Sequence, residues 1–535
     1  MEPWIGKDTV RTRYGTVRGF EDEADTIVWK AIPFARPPVG ELRWKAPRDP
    51  ETWNGVRAKS EFSDGSLQTW GNNGVIKGSE DCLYLNVWRP RTSERDLPVY
   101  VWIHGGGNIV QTPTHKIAHG ANVAGQSNMI FVSMNYRLGE FGWFSHPALR
   151  TGKMGDEYDD SGNYGTLDII KSLEWVRDNI EMFGGNPDCV FVAGESAGAF
   201  NTLILLISPA AEGLFHRAMS QSGRQNTYLV SEGDAGAQAV IAHLLVNDGS
   251  ACSLEEAEKM RDGMTSGEIA AYLRSKSFSD FARCRRAVPF KAAFEDGAVI
   301  SVDGFHSIRT GTYPNKVPVI IGMNKEEAKF RMFFSEAFPD DEELYEHVSC
   351  FVSDLKKATG CDDILRMLRE NEDQPDVYGY QFLWGARGRG GASVMPEPYG
   401  FRLGAAHGLD IPFFLDTDRV YGPIDREIFT DDNYAGRKAL TREMMAYVAQ
   451  FARTGNPNAP QLTRTRWSPW SNDTGGPKCI LFDADKNAAN IRMTAEEVTE
   501  QGVRARLDAL PETLRSRVKE TMVRMQAVSV FDAAG

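Results

Sequence analysis

Phe191-Val192-Ala193-Gly194-Glu195-Ser196-Ala197-Gly198-Ala199 joins a short apolar run to a segment whose Ala199, Phe200, Leu203 and Ile204 recur at helical spacing. The run predicts a buried strand and the spacing a helix. Gly194-Glu195-Ser196-Ala197-Gly198 between them fits G-x-S-x-G, the elbow that presents a nucleophilic serine. A serine at such a corner is strained, so small neighbours keep the flanking backbone from clashing. The helix that follows aims its free N–H groups and positive dipole end at the reacting oxygen. A tight structural turn would show the same five residues. The elbow therefore needs an oxyanion loop upstream, then an acid and a histidine downstream, in that order.

Upstream, Val101-Trp102-Ile103-His104-Gly105-Gly106-Gly107 runs a buried strand into three glycines. This is the HGGG form of an oxyanion loop. Without Cβ atoms, its N–H groups can approach a developing oxyanion. Gly106 and Gly107, with the N–H of Ala197, make a three-donor hole; a plain glycine turn is the alternative. Around this pair, strands are expected at 28–32, 83–88, 99–103, 129–134, 317–322 and 378–384, with a turn at Glu21-Asp22-Glu23. Helices are expected at 167–179, across 233–274, at 340–369 and at 441–454. Strands alternating with helices imply an α/β chain with a large, mostly parallel central sheet. With no repeat, low-complexity segment or linker, residues 1–535 are expected to form one domain. Its helix-rich segments, roughly within 225–400, would make a cap or lid.

The chain holds 9 histidines. A general base must follow the acid on a loop near a strand end, and His407 in Gly404-Ala405-Ala406-His407-Gly408 meets that condition. His347 sits in a charged helical stretch, and His104 belongs to the oxyanion strand. The acid should follow the 317–322 strand, where Lys325-Glu326-Glu327 offers two carboxylates side by side.

Composition narrows the function classes. Apolar residues at 41% and charged ones at 25% suit a soluble globular protein. A formal charge of −13 argues against nucleic acid or an anionic membrane surface as partner. The first residues lack the basic start and apolar core of a signal peptide, and no apolar run is long enough to cross a bilayer. The 7 cysteines are dispersed without paired or metal-like spacing, which suggests reduced thiols and a cytoplasmic setting. The sequon Asn472-Asp473-Thr474 matters only in a secreted protein.

Further segments carry a family resemblance: Ile32-Pro33-Phe34-Ala35-Arg36-Pro37-Pro38-Val39-Gly40, Ser79-Glu80-Asp81-Cys82-Leu83-Tyr84-Leu85-Asn86 and Asn135-Tyr136-Arg137-Leu138-Gly139. Phe183-Gly184-Gly185-Asn186-Pro187, the elbow, the His407 loop and Phe451-Ala452-Arg453-Thr454-Gly455-Asn456-Pro457 extend it over most of the chain. The sequence resembles the type B carboxylesterases, closest in character to the bacterial para-nitrobenzyl esterases. The resemblance implies an α/β-hydrolase fold and a serine carboxylesterase acting on a small-molecule ester through an acyl-enzyme on Ser196. It implies a triad of Ser196, Glu327 and His407, the second of the two adjacent acids being the triad member. Glu195 and Ser222 would stand behind the triad, and the pairs Arg43–Glu80 and Arg137–Asp168 would be structural. No metal or organic cofactor is called for. An acyltransferase using the same acyl-enzyme, or a catalytically silent binding protein, are the alternatives, and monomer or homodimer stays open.

Three departures from the family stand out. Ser66 occupies the place of the cysteine that secreted members bridge to Cys82, so that disulfide cannot form. Asn108 replaces the usual aromatic residue after the glycines, which predicts a more polar pocket wall. Arg224, after Gln221-Ser222-Gly223, replaces a small residue; it could meet an anionic acyl group, the alternative being a surface arginine paired with a carboxylate or left in solvent. Arg387 and Arg389 approach the histidine loop in sequence.

Overall fold

Val99-Tyr100-Val101-Trp102-Ile103 is apolar at every position, and a strand turns successive side chains to opposite faces. In the computed structural model Val99, Val101 and Ile103 accordingly enter one core, and Tyr100 and Trp102 another. Such a strand has to be covered on both sides. The structure describes residues 7–70, 74–114, 116–333, 341–388, 391–459 and 464–527. The start of the chain, His115 and Arg389 lie outside the described residues.

Eleven strands form the main sheet: β1 Phe20–Asp22, β2 Thr26–Pro33, β3 Tyr84–Pro90, β4 Leu97–Ile103, β5 Ile130–Met134, β6 Gly185–Glu195, β7 Arg217–Gln221, β8 Val319–Asn324, β9 Val377–Phe382, β10 Cys479–Ala484 and β11 Ala489–Met493. Their spatial order is β11-β10-β9-β8-β7-β6-β4-β5-β3-β2-β1. The run from β10 through β9, β8, β7, β6 and β4 to β5 is parallel. Antiparallel strands close both edges. The C-terminal ends of β6, β7 and β8 therefore open on the same side, where ligands bind in open parallel sheets.

Helices α1 Tyr164–Asn179 and α2 Ala197–Leu206 bury Leu173, Val176 and Leu203 in the first core. Short α3 Lys329–Phe333 and α4 Glu342–Lys357 follow β8. Helix α5 Tyr434–Thr454 closes the opposite face with Leu440, Val448 and Phe451. The segment expected to form a cap divides in two. Helices Val230–Asn247, Ser266–Ser275 and Phe278–Cys284 share a separate core with Trp44, Phe141 and Phe144. By contrast, α3 and α4 lie at the end of β8, where the Ala328 N–H donates to Ser353 Oγ at 3.1 Å.

The first expected turn falls two residues later. Asp22 pairs with Thr26, so the chain reverses at 23–25, with Ala24 and Asp25 at φ 54° and 53°. Charged Glu21 and Asp22 are tolerated because β1 is an edge strand. Strands β10 and β11 and helices Glu500–Asp508 and Glu512–Ala527 were not foreseen. In those helices charged residues dominate and Val503, Leu507 and Val518 reach a core, a thin periodic signal. Among the described residues no helix is long and apolar enough to cross a membrane.

Candidate active site

Ser196 sits between β6 and α2 with φ 56° and ψ −116°, a conformation a non-glycine residue holds only when its surroundings force it. Its N–H donates to Gln221 O at 2.8 Å and its carbonyl accepts from the Phe200 N–H at 2.9 Å, so both neighbouring elements grip the corner. The glycine loop Gly105–Gly107 presses against it. A Cβ on Gly198 would stand 2.0 Å from Ile103 O, so only glycine lets α2 start there. A Cβ on Gly105 would lie 3.3 Å from Ser196 Cβ. Gly106 has φ 89°, and its carbonyl accepts from the Ile109 and Val110 N–H groups at 3.1 and 3.0 Å. Among the described residues the N–H groups of Gly106, Gly107 and Ala197 donate to none of the turn and loop carbonyls.

The two adjacent acids have separate tasks. Glu326 braces the histidine loop: its Oε2 accepts from the Ala405 N–H at 2.9 Å, its own N–H donates to Ala405 O at 3.0 Å, and Oε1 lies 2.7 Å from Lys329 Nζ. Glu327, 1% exposed, faces His407 instead. Its Oε2 is 2.5 Å from His407 Nδ1, while Oε1 accepts from Ser222 Oγ at 2.5 Å and from the Asn324 N–H at 3.0 Å. Burial works against its charge, yet His407, Lys356 and Ser222 together hold the carboxyl down at about 2. Burial also works against a charged His407, but the Glu327 and Glu195 carboxylates outweigh it and hold the imidazole above its ordinary range.

Imidazole Nε2 stands 3.1 Å from Glu195 Oε1, without the alignment of a hydrogen bond. Burial, more than the nearby Asp410 and Glu327 charges, lifts the Glu195 carboxyl to about 7. Among the described residues no hydrogen bond joins the Ser196 hydroxyl to His407. Serine–histidine contacts are often long before substrate binds. The structure thus joins Glu195, Ser222, Glu327 and His407 by direct contacts, with Ser196 next to Glu195 in the chain.

Several contributors escaped the sequence reading. Lys356 on α4 reaches Glu327 Oε2 at 3.6 Å. Buried Asp410 accepts from Tyr380 Oη at 2.6 Å and Asn324 Nδ2 at 3.3 Å, and Tyr421 Oη donates to the His407 carbonyl at 2.7 Å. Only Asp410 had a sequence signal, three residues beyond the histidine.

Asn108 corrects one expectation. At φ 61° and 2% exposed, it turns away from the pocket, sharing hydrogen bonds with Asn201 at 2.9 and 3.2 Å and accepting from Tyr136 Oη at 3.3 Å. It ties the glycine loop to Asn201 and Tyr136 rather than making a polar wall. Arg387 pairs with Glu397 at 2.7 Å. Away from this site, Cys361, Asp362 and Cys479 lie close enough to share an ion. Lys357 Nζ already occupies both Asp362 oxygens at 2.6 and 2.5 Å, so the trio carries its own cation.

The profile of the carboxylesterase family matches residues 6–341 and 334–499. The chain belongs to the carboxylesterase family. It is an enzyme, a carboxylic-ester hydrolase on an α/β-hydrolase fold. The para-nitrobenzyl esterase of Bacillus subtilis is 40% identical over 45% of this chain, a match spanning about half of that protein (48%). A medium-chain fatty acyl-CoA hydrolase precursor of Anas platyrhynchos is 30% identical over 87% of both chains. The solved carboxylesterase of Geobacillus stearothermophilus superposes over 93% of this chain and 99% of its own, at TM-score 0.71 and 27% identity. Two ion pairs expected from carboxylesterase likeness are formed: Arg43–Glu80 at 2.5 Å and the buried Arg137–Asp168 at 2.7 Å. All 7 cysteines are free thiols. Ser66 stands beside Cys82, whose thiol burial pushes up to about 12.

Proposed function

We propose that this carboxylesterase works through an acyl-enzyme on Ser196. Imidazole Nε2 of His407 takes the hydroxyl proton as Oγ attacks the ester carbonyl. Glu327 accepts the Nδ1–H, fixes the tautomer and stabilises the imidazolium. The carbonyl oxygen becomes an oxyanion facing the N–H groups of Gly106, Gly107 and Ala197. His407 then protonates the alkoxide, the alcohol leaves, and water repeats the cycle on the acyl-enzyme.

The observation that carries this reading is the 2.5 Å contact between Glu327 and His407, with the second carboxylate oxygen fixed by Ser222 and Asn324. An acid held that way cannot rotate, so Nδ1 stays engaged and Nε2 is the edge left to take a proton. The free thiols, and serine in place of a partner for Cys82, favour a reducing, cytoplasmic setting. The test is hydrolysis of p-nitrophenyl butyrate with mass-spectrometric labelling by a fluorophosphonate. Ser196→Ala is expected to lower kcat on the order of a millionfold and to abolish labelling, with the circular dichroism spectrum retained. Turnover near the wild-type rate in that variant would defeat the proposal.

A further inference from the structure

Carboxylates outnumber cations across this chain, yet one flank of the candidate triad runs the other way. Arg224 lies two residues beyond Ser222, and its guanidinium carbon stands 5.3 Å from the centre of the Phe200 ring. Phe200 is one turn beyond Ser196 on α2 and bonds its carbonyl. Arg331 lies four residues beyond Glu327, half-buried on α3. Lys356 completes the row on α4. Arg224 is exposed at the rim, its guanidinium laid against Phe200, and Arg331 is half-buried. Burial lowers the proton affinity of both arginines, and the charge of Arg224 lowers that of Arg331 further. Arg331 in turn opposes the charge of Lys356. The three cations therefore lie within electrostatic reach of one another.

Three other arginines packed into this molecule are answered by acids. Arg43, Arg137 and Arg285 each hold two carboxylate oxygens of Glu80, Asp168 and Glu140. Among the described residues neither Arg224 nor Arg331 has a carboxylate within ion-pair distance. A guanidinium that is partly desolvated without an anion is disfavoured, and its planar donors match a carboxylate well. What restores the balance is an anion that arrives with the substrate.

We propose that Arg224 and Arg331 receive a carboxylate carried by the ester, so that the preferred substrates are esters bearing a free acid a few bonds from the scissile carbonyl. This rests on the acyl-enzyme reading above and names its substrate class. The nearness of Arg224 to Phe200, one helical turn (about 5 Å) beyond the nucleophile, suits short diacid half-esters.

The test compares kcat/KM for p-nitrophenyl butyrate, mono-p-nitrophenyl glutarate and the butyrate ester of 4-hydroxybenzoate. The second carries the carboxylate on the acyl side, the third on the alcohol side. Wild type, Arg224→Gln, Arg331→Gln, the double variant and Arg331→Lys are measured, each normalised to fluorophosphonate-titrated sites so that misfolded protein does not count. Wild type is expected to prefer one of the two anionic esters over the neutral one. The double variant should lower that ratio at least tenfold, Arg331→Lys should retain part of it, and added salt should weaken it. A preference for the glutarate half-ester places the acid on the acyl side; one for the benzoate ester places it on the alcohol side. Turnover of the neutral ester with a ratio indifferent to both substitutions would overturn the inference and leave the acyl-enzyme reading intact. Absence of any turnover and of Ser196 labelling would overturn both.

Discussion

Two buried charge clusters lie in this molecule and are built on opposite terms. Asp168 receives the Arg137 Nε at 2.8 Å, its Nη2 at 2.7 Å and its backbone N–H at 3.0 Å, and Arg137 spends a further donor on Lys45 O at 2.9 Å. Burial opposes the Arg137 charge, but Asp168 outweighs it and keeps the guanidinium above its ordinary range. Charge and hydrogen bonds are matched one to one. Around His407 they are not: Glu195, Glu327 and Asp410 converge on one imidazole, with Lys356 at the margin. Burial lifts Asp410 to about 6 and Glu195 to about 7, and among the described residues Glu195 Oε1 has no hydrogen-bond partner. A matched pair holds a scaffold together. An unmatched one leaves protons free to move, which is the condition a general base needs.

The sharpest way to break the comparison is to neutralise one carboxylate in each cluster. Glu327→Gln keeps the shape but offers His407 an amide, so the tautomer is no longer fixed and the imidazolium loses its counter-charge. A fall in kcat of about 10⁴-fold per fluorophosphonate-titrated site is expected with p-nitrophenyl butyrate, a loss of turnover far beyond any accompanying drop in the denaturant midpoint. Asp168→Asn should do the reverse. Breaking a buried pair costs about 3–5 kcal/mol, read as a lower midpoint in urea. Turnover per fluorophosphonate-titrated site should stay near wild type, because Asp168 touches none of the reacting groups. If Asp168→Asn instead lowered turnover per titrated site as Glu327→Gln does, the division between scaffold and site would be wrong.

The same contrast explains what could be read from the sequence. The elbow and the three glycines were legible because each is a local problem of backbone geometry: Ser196 needs small neighbours, and a Cβ on Gly198 would stand 2.0 Å from Ile103 O. The buried runs at 99–103 and 129–134 gave the sheet interior for the same reason. Glu326 and Glu327 were separable only by resemblance, since adjacent residues differ in direction and not in chemistry. Lys356 was illegible: it reaches Glu327 through the packing of α4, and in sequence it belongs to an ordinary charged helix. Asn108 was misread because a positive φ turned the side chain from the pocket into the layer beneath it.

Glu195 offers the finest test, since it belongs to the unmatched cluster without belonging to the acid–base pair. Its carboxyl is raised to about 7 from an ordinary 4.5. Between those values the folded protein keeps a proton that the unfolded chain has released, so this group's contribution to stability falls as pH rises through that window. Glu195→Gln should therefore flatten the decline in urea midpoint between pH 4.5 and 7. Its effect on activity has the matching sign. An ionised Glu195 favours imidazolium at 3.1 Å, and under the proposed acyl-enzyme mechanism kcat/KM needs the neutral imidazole. Removing the charge should move the acid limb of the kcat/KM profile to lower pH by about one unit. Because the two groups titrate together, the limb reports the pair and not either residue alone. An unmoved limb would mean that His407 does not feel Glu195, and the imidazole would then owe its raised proton affinity to Glu327 alone.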